Sequence, residues 1–275
     1  MSPNGASGAG LELAGVTVRF GGLVALDDVG LTVEAGQVVG VIGPNGAGKT
    51  TLFNVLCGFV RPDSGRLVWR GRELRGLQPH QLAGLGIGRT LQGLGLFPQL
   101  TMLENVMVGA HRHARAGFAS ALLALPRSDR DERALRDRAL ALLDDLGVGE
   151  MADRLPASLP YPIHKRVALA RALVAEPDLL LLDEPAAGLS AEEMRQLGEL
   201  IESLRGRMSV VLVEHHMDLV MSVCDRIAVL DFGRVIATGP PDQVRRNPVV
   251  LEAYLGRDVE VADRAGESPP GGGDA

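Results

Sequence analysis

The chain has 275 residues, of which 46% are hydrophobic and only 3% aromatic, so its core must be built mainly from Leu, Val, Ile and Ala. Its formal net charge of −6 argues against a general nucleic-acid-binding protein, and we expect no nucleic acid among its partners. Its two cysteines fit a reduced cytosolic protein better than a disulfide-stabilised one.

The sequence contains no segment typical of a signal peptide or a membrane span. The first ten residues have neither a basic nor an apolar region. The longest apolar runs, such as Leu179 to Leu182, are far shorter than the roughly 20 residues that a membrane helix needs. We therefore expect a soluble protein that another chain would have to hold at a membrane.

The first part of the chain predicts strands and one helix. Residues 1–10 are rich in Gly, Ala and Ser, and we expect them to be disordered. Two later stretches alternate apolar and polar side chains as half-buried strands do, and a third is a continuous apolar run typical of a strand buried on both faces. The predicted strands cover residues 11–20, 23–33, 36–43 and 65–71, and the predicted helix runs from Thr51 to Leu56.

From about residue 79 to residue 160 the pattern is helical, which indicates an inserted helical subdomain. Within it, residues 111–135 form either a partner contact or a solvated hairpin, and we favour the hairpin. Strands and helices alternate after residue 160, which predicts an α/β fold with a parallel sheet covered by helices. The predicted strands are 178–183, 208–213, 226–231 and 234–237, and the predicted helices are 163–175, 191–205, 215–223 and one ending at "LEAYLG". We expect a single domain over residues 11–256, followed by a disordered tail over residues 257–275.

The segment "GPNGAGKT", residues 43–50, matches the G-x-x-x-x-G-K-T phosphate-binding pattern, with a chance Gly-rich turn as the alternative. It follows a predicted buried strand and opens a helix, so that several backbone N–H groups and the helix start can face one anion. Lys49 can reach the β- and γ-phosphates, Thr50 can hold Mg²⁺, and Thr51 can donate to the α-phosphate. The predicted nucleotide-binding residues of this loop are Gly43, Pro44, Asn45, Gly46, Ala47, Gly48, Lys49, Thr50 and Thr51.

A run of leucines ends in Asp183 and Glu184. At the end of a buried strand, Asp183 can bind the Mg²⁺ of a P-loop site through water, and Glu184 can orient or deprotonate an attacking water. Two carboxylates at a strand end would indicate little on their own. In the same chain as the phosphate-binding loop, they predict an ATP-hydrolysing site with ATP and Mg²⁺ as its ligands.

These motifs together resemble those of the ATP-binding cassette (ABC) ATPases, over about residues 11–256. The resemblance implies a P-loop NTPase fold with a mostly parallel core sheet, an antiparallel β subdomain and an inserted α-helical subdomain. It implies that Phe20 stacks on adenine; the alternative is that Phe20 is a core aromatic at a strand end. It also makes Gln92 the glutamine that senses Mg²⁺ and water. It also makes His215 the switch histidine at the γ-phosphate. The adjacent His216 leaves a choice of register, in which the family pattern E-H-x-M favours His215.

Further segments, "GIGRTLQ", "LFPQLTMLENVMVGAH" and "NPVVLEAYLG", look like those of ATP-binding subunits of branched-chain amino acid importers, whose relatives carry urea or other small amides. The resemblance implies a hetero- or homodimer with a second ABC ATPase subunit, two membrane permease subunits and, indirectly, an extracytoplasmic substrate-binding protein. It places the chain peripherally at the cytoplasmic face of the cell membrane. The alternatives are a regulatory partner of an active cassette and a soluble cassette acting on ribosomes or DNA.

The sequence departs from the family at the signature loop, usually L-S-G-G-Q, which closes the ATP site of a second subunit. When the chain is aligned by "RVALARAL", the signature positions are Leu159, Pro160, Tyr161, Pro162 and Ile163. Pro160 has no hydroxyl and Pro162 has no N–H, so two expected contacts to the γ-phosphate are lost. Pro162 is also a favourable residue for a helix start, and the two interpretations are compatible.

A second departure lies after Glu184, where family members usually have Asp and importers often have Asn. This chain has Ser190, followed three residues later by Glu193, and this spacing predicts a helix capping box rather than a direct catalytic role. Both departures lead to the hypothesis of an asymmetric cassette pair. In that pair, the P-loop, Glu184 and His215 of this chain would form the competent site, and its proline-containing loop would cap a weaker one.

Overall fold

The computed structural model describes residues 9–90, 95–113 and 126–254. The predicted tail at 257–275, the predicted Gln92 and part of the 111–135 insert lie outside the described residues. The prediction of disorder over residues 1–10 is wrong at its end, because the first strand already begins at Ala9. The carbonyl oxygen of Gly10 accepts a hydrogen bond from the backbone N–H of Arg70 at 2.8 Å, so this residue is fixed in the sheet.

Two β-sheets organise the described residues. The smaller sheet is antiparallel, with the strand order β2-β1-β4-β5, and the larger sheet has the order β10-β9-β3-β8-β7-β6. The strands are β1 (Ala9–Phe20), β2 (Leu23–Glu34), β3 (Val38–Ile42), β4 (Ser64–Trp69), β5 (Arg72–Glu73), β6 (Ile87–Arg89), β7 (Leu179–Asp183), β8 (Ser209–Val213), β9 (Arg226–Asp231) and β10 (Arg234–Gly239).

In the larger sheet, β9, β3, β8, β7 and β6 are parallel, and β10 pairs antiparallel to β9 at one edge. Every residue of β3, β7 and β8 is buried, as expected for strands covered on both faces. In β2, by contrast, buried Leu31 and Val33 alternate with exposed residues. The predicted fold class is therefore confirmed: a mainly parallel α/β sheet accompanied by an antiparallel sheet.

One strand of the larger sheet falls inside the region that we predicted to be helical. Strand β6 pairs in parallel with β7, in register from Ile87 opposite Leu179. It is only three residues long, which is too short for a recognisable alternation, and its central residue is Gly88. A Cβ at Gly88 would lie 2.8 Å from the carbonyl oxygen of Ala172, so the close packing of a helix excludes the side chain that would have marked a strand.

The helices cover both faces of the larger sheet. Side chains of β7 alternate between two hydrophobic clusters, with Leu180 and Leu182 in one and Leu179 and Leu181 in the other. Within the described residues, no helix combines the length and the apolar character needed to cross a bilayer. The helices are α1 (Lys49–Leu56), α2 (Met102–Met107), α3 (Pro126–Asp145), α4 (Tyr161–Leu173), α5 (Ala191–Leu204), α6 (Met217–Val223), α7 (Pro241–Arg245) and α8 (248–254), with 3-10 turns at Pro79–Gln81, Ala83–Leu85, Val108–His113, Gly149–Met151 and Pro156–Ser158.

Candidate functional site

The loop between β3 and α1 has the shape of a phosphate-binding loop, and two of its glycines are sterically required. Gly43 has a φ of 153°, and a Cβ there would lie 2.1 Å from the carbonyl oxygen of Leu230. Gly48 has a φ of 104°, and its Cβ would lie 2.6 Å from the carbonyl oxygen of Ala25. The ends of the loop are thus pressed against neighbouring backbone, while Gly46 at its tip has nothing within 4 Å.

Lys49 lies in the concavity of this loop. Its side chain is 7% exposed, and Nζ donates to the carbonyl oxygens of Gly43 at 2.7 Å and Pro44 at 3.0 Å. A compact ammonium satisfies both carbonyls from within the loop, which the planar fork of an arginine would not reproduce. Thr50 is exposed and Thr51 is half-buried in the first turn of α1, a helix that has no acidic residue in that turn. The loop therefore presents backbone N–H groups, a cation and two hydroxyls to an anion.

The carboxyl end of β7 brings Asp183 near this loop. Asp183 is 8% exposed, and burial raises its pKa to about 6, with further contributions from the charges of Glu184 and Glu214 and an opposing one from Lys49. Its backbone N–H lies 3.4 Å from the Thr90 hydroxyl oxygen, at the end of β6. The structure thus places the carboxylate of Asp183 within electrostatic reach of Lys49 and of two further carboxylates, Glu184 and Glu214.

Glu184 has a left-handed backbone conformation, with a φ of 45°, which is unusual for a residue with a Cβ. Its backbone N–H donates to the carbonyl oxygen of Val213 at 2.9 Å, so the neighbouring strand β8 holds it in this conformation. The side chain is 34% exposed, and one of its carboxylate oxygens lies 3.9 Å from Nδ1 of His215. Glu184 and His215 therefore face a common, solvent-accessible space.

The two adjacent histidines differ in how closely Glu214 holds their rings. Oε2 of Glu214 lies 2.9 Å from Nδ1 of His216, which is hydrogen-bonded there and 29% exposed. His215 is 49% exposed, and its Nδ1 lies 3.6 Å from Oε2 of Glu214 and 3.9 Å from Oε1 of Glu184, beyond hydrogen-bond distance of either carboxylate. This geometry agrees with the interpretation that His215, and not His216, faces the site.

Glu214 is a functional residue candidate that the sequence interpretation missed. Its side chain is fully buried. Burial alone would raise its pKa, but the hydrogen bonds from the His216 ring and from the backbone N–H groups of His216, Ala186 and His215 outweigh burial and lower the pKa below its usual range. A charged carboxylate in that position could have been suspected from its place between a buried strand and the two histidines.

The signature-like loop has the backbone that its prolines favour. Pro160 is extended, with φ −71° and ψ 156°, and precedes α4 without a side-chain cap. Pro162 occupies the first turn of α4, and the N–H of Ile163 donates to the carbonyl oxygen of Pro160 at 3.1 Å. Leu159 is half-buried against the core, and Tyr161 is 48% exposed. The helix start is therefore well formed, but without the hydroxyl and the N–H that Pro160 and Pro162 cannot supply.

Lys165, the second of the two lysines, joins this helix to the loop after Glu184. Its Nζ donates to the carbonyl oxygens of Pro185, at 2.9 Å, and Ala187. Desolvation by burial lowers its pKa, and the charges of Glu214 and Glu184 oppose that change. The sequence has lysine only at positions 49 and 165, and this scarcity was a signal that could have pointed to Lys165.

The structure also describes two further predicted residues, Phe20 and Ser190. Phe20 is at the end of β1, beside Leu23 at the hairpin, and is 52% exposed, which does not fit its alternative interpretation as a core aromatic. Ser190 caps α5: its hydroxyl oxygen accepts from the backbone N–H of Glu193, and the Glu193 carboxylate accepts from the backbone N–H of Ser190. The predicted capping box is therefore confirmed.

Two family models match this chain. The model described as "ABC transporter" matches residues 26–187, more than half of the chain. The model described as "Branched-chain amino acid ATP-binding cassette transporter" matches residues 234–260.

The chain is also similar to characterised proteins along most of its length. The high-affinity branched-chain amino acid transport ATP-binding protein BraF of Pseudomonas aeruginosa is 44% identical over 248 residues, which cover 90% of this chain and 97% of BraF. The lipopolysaccharide export system ATP-binding protein LptB of Haemophilus influenzae is 35% identical over 237 residues, which cover 86% of this chain and 92% of LptB.

Solved structures with a similar fold include a nucleotide-free ATP-binding cassette from an ABC transporter, with a TM-score of 0.76 and 29% identity over 90% of this chain and 98% of that one. They also include a dimeric ATP-binding cassette in a post-hydrolysis state bound to ADP and phosphate, with a TM-score of 0.69 and 28% identity over 84% of this chain and 98% of that one.

Proposed function

Since this chain belongs to the ATP-binding subunits of ABC transporters, we propose that it powers the import of branched-chain amino acids or of other small amino acids or amides. The chain is an ATPase whose hydrolysis of ATP drives transport. The observation that carries the proposal is the meeting of three segments: the loop after β3 with Lys49, the end of β7 with Asp183 and Glu184, and the end of β8 with His215. The similarity of the C-terminal residues to the branched-chain amino acid family supports the substrate class.

In the proposed mechanism, the loop N–H groups, the start of α1 and Lys49 hold the phosphates, and the exposed ring of Phe20 stacks on adenine. Glu184 accepts a proton from water as the water oxygen attacks the γ-phosphorus and the bond to the ADP oxygen breaks. His215 donates a hydrogen bond to the γ-phosphate, where negative charge is concentrated.

Mg²⁺ fits the oxygen donors at this site. The exposed hydroxyl of Thr50 and the carboxylate of Asp183 are the kinds of ligand that Mg²⁺ prefers, and Gln92 is a further candidate ligand. Burial and neighbouring carboxylates raise the pKa of Asp183, and a divalent cation would favour its ionised form. When bound, Mg²⁺ neutralises charge on the β- and γ-phosphates.

We further propose that the chain acts in an assembly: a second cassette in a hetero- or homodimer, two membrane permeases and, indirectly, an extracytoplasmic substrate-binding protein. It would lie peripherally at the cytoplasmic face of the membrane, held by the permeases. Residues 11–256, with Ala9 and Gly10 of β1 added, would form the cassette. The intact P-loop site and the signature loop without donors support an asymmetric pair, in which the active site uses Glu184 of this chain.

The test is the ATPase activity of the complex recovered from native membranes through an affinity tag on this chain. Because Glu184 and His215 act at the reacting atoms, we expect E184Q and H215A each to lower kcat by about 100-fold or more, with nucleotide still bound. Uptake of labelled leucine by cells that carry E184Q should fall in parallel, whereas the exposed helix variant E202Q should match wild type.

A second candidate is a nucleotide-binding regulatory partner with slow turnover, which the prolines of the signature loop favour. In that case the partner cassette would carry the hydrolysis, and E184Q in this chain would leave the ATPase activity of the complex unchanged. Retained activity in E184Q would therefore overturn the asymmetric arrangement proposed above, and parallel uptake of labelled urea would test the alternative substrate class.

A further inference from the structure

Glu214 is a fully buried carboxylate that none of the proposed chemical steps uses. Oε1 accepts from the backbone N–H of Ala186 at 2.7 Å. Oε2 accepts from the backbone N–H groups of His215 at 2.8 Å and His216 at 3.1 Å, and lies 2.9 Å from the His216 ring nitrogen. Four donors thus converge on one side chain, and the two oxygens serve two different loops.

The two loops are the ones that carry the proposed hydrolytic groups. Ala186 follows Glu184 by two residues, and His215 is itself one of the donors to Glu214. Charge-assisted hydrogen bonds of this kind are short and roughly twice as strong as neutral ones. The carboxylate therefore acts as a bridge that sets where the loop after β7 lies relative to the loop after β8.

A second side chain, Lys165, holds the same short segment through its carbonyl oxygens. Lys165 donates to the carbonyl oxygens of Pro185 and Ala187, while the intervening N–H of Ala186 is bound by Glu214. Three consecutive residues after Glu184 are thereby fixed by one carboxylate and one ammonium. This leaves the segment little freedom to shift the Glu184 carboxylate.

The bridge also holds the rings of the two adjacent histidines differently. The ring of His216 is hydrogen-bonded to Oε2 of Glu214 at 2.9 Å, whereas Nδ1 of His215 lies 3.6 Å from that oxygen and 3.9 Å from the Glu184 carboxylate. We propose that Glu214 is a positioning residue for ATP hydrolysis, whose carboxylate fixes the separation between Glu184 and His215. This inference rests on the proposed roles of those two residues.

The test is E214Q in the complex purified through this chain. A glutamine amide offers one acceptor oxygen and an NH₂ group, so one of the two loops would meet a donor where it now meets an acceptor. We expect kcat for ATP to fall by about tenfold or more, because small misplacements of reacting groups are costly. The KM for ATP and the affinity for a fluorescent ATP analogue should stay near those of wild type, while the melting temperature should fall, because a buried donor then faces a donor.

The matched control is E202Q, the same substitution at an exposed glutamate of α5, which should keep the wild-type kcat. H216A is the second variant, because it removes the ring donor to Glu214, together with the ring contact to His215, whose centroid lies 4.1 Å away. We expect H216A to lower kcat severalfold at unchanged KM. If E214Q cannot be purified in folded form, H216A decides the question.

Wild-type kcat in E214Q, or in H216A when E214Q does not fold, would overturn the inference. Loss of nucleotide binding together with kcat would also overturn it, because Glu214 would then only maintain the fold. Failure of the proposed function is recognised separately, since E184Q and H215A would then retain activity regardless of the behaviour of E214Q.

Discussion

At the scale of single residues, parts of the site have a backbone conformation or a protonation equilibrium that costs free energy. The left-handed backbone of Glu184 costs on the order of 1–3 kcal/mol for a residue with a Cβ. The hydrogen bond from its N–H to Val213 offsets part of that cost and fixes the direction of the side chain. Strain at this residue is thus used to point a carboxylate away from the end of β7 and toward His215.

Asp183 provides a pH-dependent test at the same scale. Burial, followed by the charges of Glu184 and Glu214, raises its pKa from 3.8 to about 6. The folded, nucleotide-free protein therefore holds this proton more tightly than the unfolded chain, and the stability that Asp183 contributes is present at low pH and lost as the pH rises from about 4 to about 6. The loss is at most about 3 kcal/mol for a shift of roughly two pKa units.

The measurement is the free energy of unfolding of nucleotide-free wild type and D183N, from urea denaturation between pH 4 and pH 7. Wild type should lose stability relative to D183N across that window. E202Q, which changes an exposed carboxylate, should follow wild type at every pH. A constant difference between wild type and D183N would show that Asp183 does not titrate there.

At the scale of elements, the capping box of α5 distinguishes a structural from a catalytic role for Ser190. Removing the hydroxyl in S190A should lower the free energy of unfolding by about 1 kcal/mol, because an orphan N–H of the helix start loses its acceptor. S190D retains a capping oxygen and should keep the wild-type stability. The kcat of the complex should change less than about twofold in both variants.

The matched control is S203A, on the same helix, where the hydroxyl donates to the backbone carbonyl of Leu200 and caps nothing. It should be nearly neutral in urea denaturation. A large fall in the kcat of S190A at unchanged stability would contradict the capping interpretation and favour direct participation of Ser190 at the nucleotide site.

Much of the fold could be predicted because its signals are local. The half-buried strand β2 alternates along its own sequence, β3 and β7 are continuous apolar runs, and Ser190 with Glu193 forms a cap over four residues. Strand β6 was missed because its partner, β7, lies 92 positions away in register (Ile87 opposite Leu179) and its glycine is required by a helix. Glu214 was missed for the same reason, since its donor Ala186 is 28 positions away in sequence.

At the scale of the whole molecule, the two ends of the cassette differ in how many of the expected functional groups they carry. The P-loop end carries its lysine, its carboxylates and His215, whereas the start of α4 offers a formed helix without the expected donors. Lys165 connects these two ends within one chain, from α4 to the loop after Glu184. A change at the start of α4 can therefore act in trans, on the nucleotide of the partner, or in cis, through this lysine.

The double variant P162G/I163Q distinguishes two explanations of the prolines: that they remove hydrogen-bond donors to the partner's nucleotide, or that they only form a rigid turn before α4. If missing donors limit the second ATP site, the restored N–H and the added amide should raise the kcat of the complex by about tenfold or more, at the scale of one recovered hydrogen bond to a charged phosphate. E184Q combined with the double variant should retain the added activity, because the gain arises at the partner's nucleotide.

The control is P241G, which removes a proline from the first turn of α7, and it should leave kcat unchanged. An unchanged kcat in P162G/I163Q would mean that the prolines serve only to start the helix. A gain that E184Q abolishes would instead place the effect in cis, through α4 and Lys165.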